Sequence, residues 1–413
     1  MSVLIHKIFP ALAARLREVP GKFSGAQTLR RGRDAGDRDM ILFALAVALT
    51  FVGLIALYPA SAVVAERELG DADFFLKRQI AWFAAGFVVL LIAAIVPLSL
   101  IRRLALPGML FALVVLLLVF IPGLGHSVSG SGESFHRWLR VGPIVFQPSE
   151  FAKIAMVVYV AAVFSKGDQL QSEYDLRKLA PPFALVLFLL LSIVLEPQYG
   201  TTLCMLGVIT VMVYLSGFPM LRLVILAAAT LPLLVLLVVL WEYRLERLLV
   251  WLNPHEHRYS GGYQLVTSFR AFQDGGWFGS DAGIAGGFAH RYLTYGHTDF
   301  ILALFAENFG LLGVISLLAL FIAFVWRAYY AVQKADAPFA FLLGAGALVM
   351  LALQAVMNMC VVTGIVPTTG VSLPFLSYGG SSLIVTLGFV GLLLNVSRSR
   401  PAPAASPFTQ PLS

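Results

Sequence analysis

The feature that most limits what this chain can become is a succession of long apolar runs. A helix crossing the hydrocarbon core of a bilayer needs about 20 mostly apolar residues. Ten segments meet that need, at about 40–61, 80–100, 104–122, 149–165, 180–196, 200–217, 219–241, 300–326, 338–363 and 374–397. The expected fold class is therefore an all-α polytopic membrane protein with ten transmembrane helices. Composition agrees, because 59% of the 413 residues are apolar and only 12% are charged, against roughly 25% charged in soluble proteins. So few charges cannot cover a soluble surface, and disordered, fibrous, disulfide-rich and nucleic-acid-binding classes fall with that reading. Cys204 and Cys360 both lie in apolar runs, so neither a disulfide framework nor a cysteine-based metal site is expected.

Charge then sets the expected orientation. With the N-terminus in the cytoplasm, 18 Lys and Arg fall on the inner side, 10 fall on the outer side, and Lys153 is left within a span. The positive-inside rule places both termini in the cytoplasm, and the net charge of +7 reads as an orientation signal rather than a polyanion site. Residues 1–39 form a basic, polar tail with no cleavable leader. Its Leu4–Leu16 stretch suits either a mobile segment or one lying on the inner leaflet. The membrane domain runs over 40–397, and the proline-bearing tail 398–413 is expected to be disordered. Two long outer loops, about 123–148 and 242–299, are where function is expected to concentrate.

Three constellations can carry chemistry. His297-Thr298-Asp299 opens directly into Phe300-Ile301-Leu302, which puts a carboxylate at the outer mouth of the eighth span. Desolvation there raises its pKa and suits a general base, although an Asp at this position also suits a helix N-cap. Glu307, two turns on, shares that face and needs a partner. Gln147-Pro148-Ser149-Glu150-Phe151-Ala152-Lys153 starts a helix, with Glu150 and Lys153 on one side. They form either a self-satisfying ion pair or part of a polar cavity. Just upstream, Arg137, Trp138 and Arg140 make a basic-aromatic cluster, readable as a lipid anchor or as a diphosphate grip. The third constellation runs from Val366 to Ser382. Its prolines and paired glycines break a helix at membrane depth, where irregular backbone is tolerated only inside protein or beside a wet cavity. By contrast, His255-Glu256-His257 has the wrong spacing for two ligands on one helical face, and turn chemistry explains Asp274 and Asp281.

Taken in order, the runs QPSEFAK (147–153), WLNP (251–254), GYQLVTS (262–268), AFQDGGWFG (271–279), HTDF (297–300) and Pro367–Ser382 resemble the shape, elongation, division and sporulation (SEDS) family of bacterial wall synthesis. The resemblance spans about 40–397, and its wording is closer to the division branch than to the elongation branch. It implies a SEDS fold and a peptidoglycan glycosyltransferase that polymerises lipid II on the outer face of the bacterial inner membrane. It implies a class B penicillin-binding protein and other divisome membrane proteins as partners. It implies that Asp299 is the catalytic carboxylate and that Glu150 and Lys153 line a central cavity. Arg137, Trp138, Arg140, His297, Thr298, Gln264, Ser377 and Tyr378 are placed around the substrate. The resemblance assigns no metal ligands and leaves a divalent cation, Mg or Mn, open. The chain departs from the family at Gln198, where an Asp is usual, in the stretch around Arg291, at Ser280-Asp281, and at Asn308.

These readings combine into an inverting glycosyl transfer with Asp299 as base, held close to Lys153, which opposes its raised pKa. Arg137, Arg140 or Lys153 counter the charge on the departing diphosphate. The competing classes are a lipid II flippase, which needs polar groups through the whole membrane thickness, the elongation polymerase, and a scaffold for a partner's helix.

Overall fold

The computed structural model describes residues 38–121, 123–126, 137–142, 144–165, 176–218, 242–259, 261–280, 287, 289, 293 and 296–398. The expected seventh span at 219–241, nearly all of both tails, and the departures at Asp281 and Arg291 lie outside the described residues.

Among the described residues the helices are α1 (Met40–Leu69), α2 (Phe74–Ile95), α3 (Leu98–Arg103), α4 (Ala105–Leu117), α5 (Pro148–Phe164), α6 (Leu176–Leu195), α7 (Tyr199–Leu215), α8 (Glu242–Leu252), α9 (Tyr263–Gly275), α10 (Ile301–Gln333), α11 (Pro338–Val362) and α12 (Gly380–Ser397). Of these, α1, α2, α10, α11 and α12 are each long and apolar enough to cross a membrane. Shorter apolar helical stretches cover Ala105–Phe120, Ala180–Leu195 and Tyr199–Leu215. The chain is not wholly α. Between α4 and α5, β1 (Gly125–His126), β2 (Trp138–Val141) and β3 (Ile144–Phe146) form an antiparallel sheet in the order β1-β2-β3. Alternating short segments around Gly142, at φ 62°, fold back as a hairpin because glycine tolerates that left-handed turn.

Small residues let the helices approach closely, as in other membrane bundles. A side chain on Gly391 of α12 would run into the Leu90 carbonyl of α2. Below that contact, Asn395 donates to the carbonyls of Ala93 and Val96 at 2.7 and 2.6 Å, satisfying the end of α2 where its own ladder runs out. At the start of α1, Asp39 caps the helix through Leu42 N–H at 3.0 Å and takes a forked contact from Arg327 Nε of α10 at 2.9 and 2.7 Å. One carboxylate thus fixes the register of two long helices.

The longest helix, α10, is interrupted. Gly310 sits at φ 64° and ψ −169° inside it, which frees backbone groups on both sides of the break. The Gly275–Ser280 turn after α9 supplies their partners. Leu311 N–H donates to the Gly276 carbonyl at 2.9 Å, Leu312 N–H to the Trp277 carbonyl at 3.2 Å, and Ser280 N–H to the Glu307 carbonyl at 2.8 Å. The glycines of this turn are therefore a docking device, and α9 is held along α10 just after the HTDF segment. A Cβ at Gly310 would press on the backbone of Trp277, Phe278 and Gly279. Gly310→Ala is expected to destabilise the protein by about 1–3 kcal/mol through left-handed strain and this clash. Gly108→Ala, in open space on a regular helix, serves as the control and leaves Tm unchanged or raised. Thermal unfolding of both variants in nanodiscs is the measurement.

Candidate active site

The site is built where helices stop. Between α11 and α12 the chain runs irregularly from Gly364 to Gly379, with Phe375 at φ 69° and Gly370 at φ 69°. Two prolines prevent a regular helix here, and every backbone group released at this depth needs a partner within the protein. Two residues one turn apart on α11 supply much of the answer. Asn358 donates from Nδ2 to the Val371 and Asp299 carbonyls, both at 2.7 Å. Gln354 donates to the Ser372 carbonyl at 3.0 Å and its hydroxyl at 3.2 Å. Trp251 and Arg247, from α8, bind the Gly364 and Thr368 carbonyls at 2.8 and 3.0 Å. Ser377 closes its own turn by accepting from Leu373 N–H at 2.8 Å.

Asp299 is delivered to this segment by the HTDF run at the head of α10. Its Oδ2 lies 3.5 Å from where a Cβ on Gly370 would stand. A Cβ there would be in ordinary contact with it, and the left-handed φ of 69° is what favours glycine at this position. Burial pushes the Asp299 carboxyl up to about 6, against the pull of the Arg247 guanidinium and, second, of Arg137. Arg137 is itself fixed at the Glu196 and Pro197 carbonyls, at 3.0 and 3.4 Å. Two anchored arginines therefore act on one partly desolvated carboxylate. That combination suits a proton acceptor with anion stabilisation alongside it.

His297 is 6% exposed, with its ring centroid 4.5 Å from Phe75 and 5.6 Å from Tyr378. Burial brings its pKa down to about 4, so the imidazole is neutral at physiological pH. Tyr378 N–H donates to the His297 carbonyl at 3.0 Å, which ties the HTDF run to the start of α12. Thr298, between His297 and Asp299, is half-buried.

Glu150 and Lys153 form a second, separate polar group. Their ion pair is 2.8 Å long with both side chains buried, and Lys153 Nζ also donates to Gln354 Oε1 at 3.0 Å. Lys153 is not among the charges that act on Asp299. Lys153 neutralises Glu150 and orients Gln354, while Arg247 and Arg137 act on Asp299. Arg140 lies on the exposed side of the hairpin, with its Nε on the Gly142 carbonyl at 3.2 Å. Trp138 is half-buried on β2, and Gln264 is half-buried in the first turn of α9. Glu307 finds a backbone amide, since its Oε1 accepts from Ala289 N–H at 2.9 Å.

Sequence reasoning missed Arg247 as a site residue and counted it only among outer-loop cations. The available signal was local: Arg247 stands four residues before Trp251, on a short helix whose apolar and polar residues are strongly segregated. A divalent cation fits poorly here. Among the described residues no three His, Cys, Asp or Glu side chains come together, and both arginines that act on Asp299 oppose a dication.

Because burial raises the folded pKa of Asp299 above its unfolded value, ionisation of this group costs stability as pH rises through about 6. Asp299→Asn removes that cost. The variant is expected to show a higher Tm than the parent at pH 8, with the difference shrinking towards pH 4.5. A lower Tm at pH 8 would show that the carboxylate holds the fold together instead.

Comparison with known proteins agrees with the geometry. The family model described as a cell cycle protein, covering FtsW, RodA and SpoVE, matches residues 39–402. A probable peptidoglycan glycosyltransferase FtsW of Geobacter metallireducens is 39% identical over 359 residues, covering 87% of this chain and 94% of that protein. Stage V sporulation protein E of Bacillus subtilis is 35% identical over 360 residues, covering 87% and 97%. A chain from a solved peptidoglycan synthase complex that coordinates polymerization and crosslinking aligns with TM-score 0.72 at 28% identity, covering 88% and 98%. The rod shape determining protein RodA of Thermus thermophilus aligns with TM-score 0.64 at 26% identity, over 88% and 98%. The chain is thus an integral membrane protein and belongs to the family of FtsW, RodA and SpoVE, the SEDS proteins.

Proposed function

We propose that this chain is a peptidoglycan glycosyltransferase that polymerises lipid II into glycan strands for the septal wall in cell division. The observation that carries the mechanism is the Asp299 carboxylate, held against Gly370 with the Arg247 and Arg137 charges acting on it. In the reaction, the acceptor sugar's 4-hydroxyl oxygen attacks the anomeric carbon of the lipid-linked donor. Its proton passes to Asp299. The bond between the anomeric carbon and the diphosphate breaks, and the electron pair leaves with undecaprenyl diphosphate. Configuration inverts because attack and departure occur on opposite faces. Arg137 and Arg247 counter the charge that grows on the leaving diphosphate. General-base help contributes about 10²–10⁴-fold, so positioning by the Asn358-held segment supplies a large further share.

The ten-span layout belongs to this reading. Helices occupy nine of the ten expected segments, and 219–241 supplies the remaining one in the proposal. The excess of Lys and Arg on one side supports cytoplasmic termini and an outward-facing site in the inner membrane. A class B penicillin-binding protein is the partner we propose, since the similar chain in the peptidoglycan synthase complex works beside a crosslinking activity. The flippase alternative is not favoured. The buried Glu150–Lys153 pair is neutralised by its own contacts and by Gln354, which suits a fixed support better than a moving pathway charge.

Purified protein with its cognate penicillin-binding protein is expected to convert lipid II to polymer, and Asp299→Ala to give none. Equal polymer from both sinks the catalytic role. The wild-type rate should rise about tenfold per pH unit below pH 6 and level off above it, because the base must be deprotonated. Arg247→Gln should lower kcat about 10²-fold with a smaller change in KM, as initial rates of polymerisation would show.

A further inference from the structure

The Glu150–Lys153 pair takes no part in the proposed reaction, yet a continuous chain of contacts leads from it to the segment that faces Asp299. Glu150 and Lys153 of α5 meet at 2.8 Å, with only 9% and 4% of their side chains exposed. Lys153 Nζ donates to Gln354 Oε1 at 3.0 Å. From the other end of the same amide, Gln354 Nε2 donates to the Ser372 carbonyl at 3.0 Å and to Ser372 Oγ at 3.2 Å. Ser372 Oγ in turn lies 2.8 Å from Ser382 Oγ, in the first turn of α12. The chain thereby joins α5, α11, the irregular segment and α12. It reaches the site itself, because Ser372 stands two residues beyond Gly370, where a Cβ would lie 3.5 Å from Asp299 Oδ2.

An amide has one accepting end and one donating end, so whatever binds the first decides what the second offers. A lysine ammonium can only donate. Lys153 therefore holds Gln354 with its oxygen towards α5 and its nitrogen towards the Ser372 carbonyl. With that donor removed, nothing fixes the polarity. An amide turned over would accept from the Ser372 hydroxyl and leave the Ser372 carbonyl without a donor, a costly loss at membrane depth. Asn358 cannot take its place, since Nδ2 is already committed to the Asp299 and Val371 carbonyls. Gln354 is 4% exposed, so both it and Lys153 are enclosed by protein and act on the site through their contacts. We propose that Gln354 is a positioning residue, through which the Glu150–Lys153 pair fixes the Ser372 carbonyl and with it the segment that faces Asp299. This rests on the polymerase reading and gives the buried ion pair a role in catalysis without contact to the substrate.

The test uses the full chain in nanodiscs as Lys153→Met, Gln354→Met and the double variant, replacements that keep an unbranched side chain. With the partner penicillin-binding protein and lipid II, each single variant is expected to lower kcat about tenfold, the effect of one well-made hydrogen bond. KM should stay within about twofold of the parent's, because no substrate contact is lost. The double variant should be no slower than either single one, since all three remove the same link. Losses that multiply to about a hundredfold overturn the proposal, as does a loss confined to KM, which would make Lys153 a substrate contact. Hydrogen exchange reads the segment without turnover. The amides of Leu373, Ser377 and Tyr378 donate to Ser377 Oγ, the Leu373 carbonyl and the His297 carbonyl. They should exchange about tenfold faster in all three variants, while amides of α1 keep the parent's rate. Unchanged protection of the segment in Lys153→Met, or equal acceleration throughout α1, overturns the proposal. Parent protein that makes no polymer, with exchange altered as expected in the variants, would defeat the polymerase reading and leave the Gln354 link standing.

Discussion

Backbone that leaves helical geometry inside a membrane has no water to bond, and this requirement organises the centre of the molecule. The Gly364–Gly379 segment is irregular because its prolines allow nothing else. It is tolerated because side chains from α8 and α11 take up its carbonyls. Asn358 is the most economical of these supports. A single amide group binds the Val371 carbonyl and the Asp299 carbonyl together, so the broken segment and the head of α10 share one anchor. The position of Asp299 is in that sense a by-product of satisfying the backbone.

The same economy governs charge. Ionisable groups at membrane depth are expensive and need partners, and the structure gives its carboxylates different ones. Glu150 receives a lysine at ion-pair distance. Glu307 receives the backbone amide of Ala289. Asp299 receives arginine charges that are already tied to carbonyls at Thr368, Glu196 and Pro197. A carboxylate paired directly with a cation would lose the basicity a proton acceptor needs. One that is desolvated near anchored cations keeps more of it.

Much of this was legible in the sequence, for local reasons. Apolar runs of sufficient length mark membrane helices whatever surrounds them, and nine expected segments are occupied by helix among the described residues. The Pro-Gly break between Val366 and Ser382 was legible because proline and glycine act on their own backbone. Asp299 was legible because a lone carboxylate at a span's mouth has few explanations. The pairing of Glu150 with Lys153 followed from helical spacing alone. What could not be read was whatever depends on folding over distance. The small sheet between α4 and α5 left Arg140 exposed and Arg137 on the Glu196–Pro197 carbonyls. Gln354 reached Lys153 from a helix about 200 residues away in sequence.

The chain by itself therefore determined where the long apolar helices lie, where the backbone must break, and which carboxylate stands near the break, because each of these is a property of a short stretch of sequence. Tertiary structure decided the company that carboxylate keeps. Arg247 comes from a short amphipathic helix, Arg137 from the end of a hairpin, Asn358 from the polar side of an otherwise apolar span, and the Gly276–Trp277 carbonyls from a turn that fills the Gly310 kink. No spacing rule links these positions. They meet because the buried backbone of two interrupted helices had to find hydrogen-bond partners, and the packing that supplied them also fixed the electrostatics of the site.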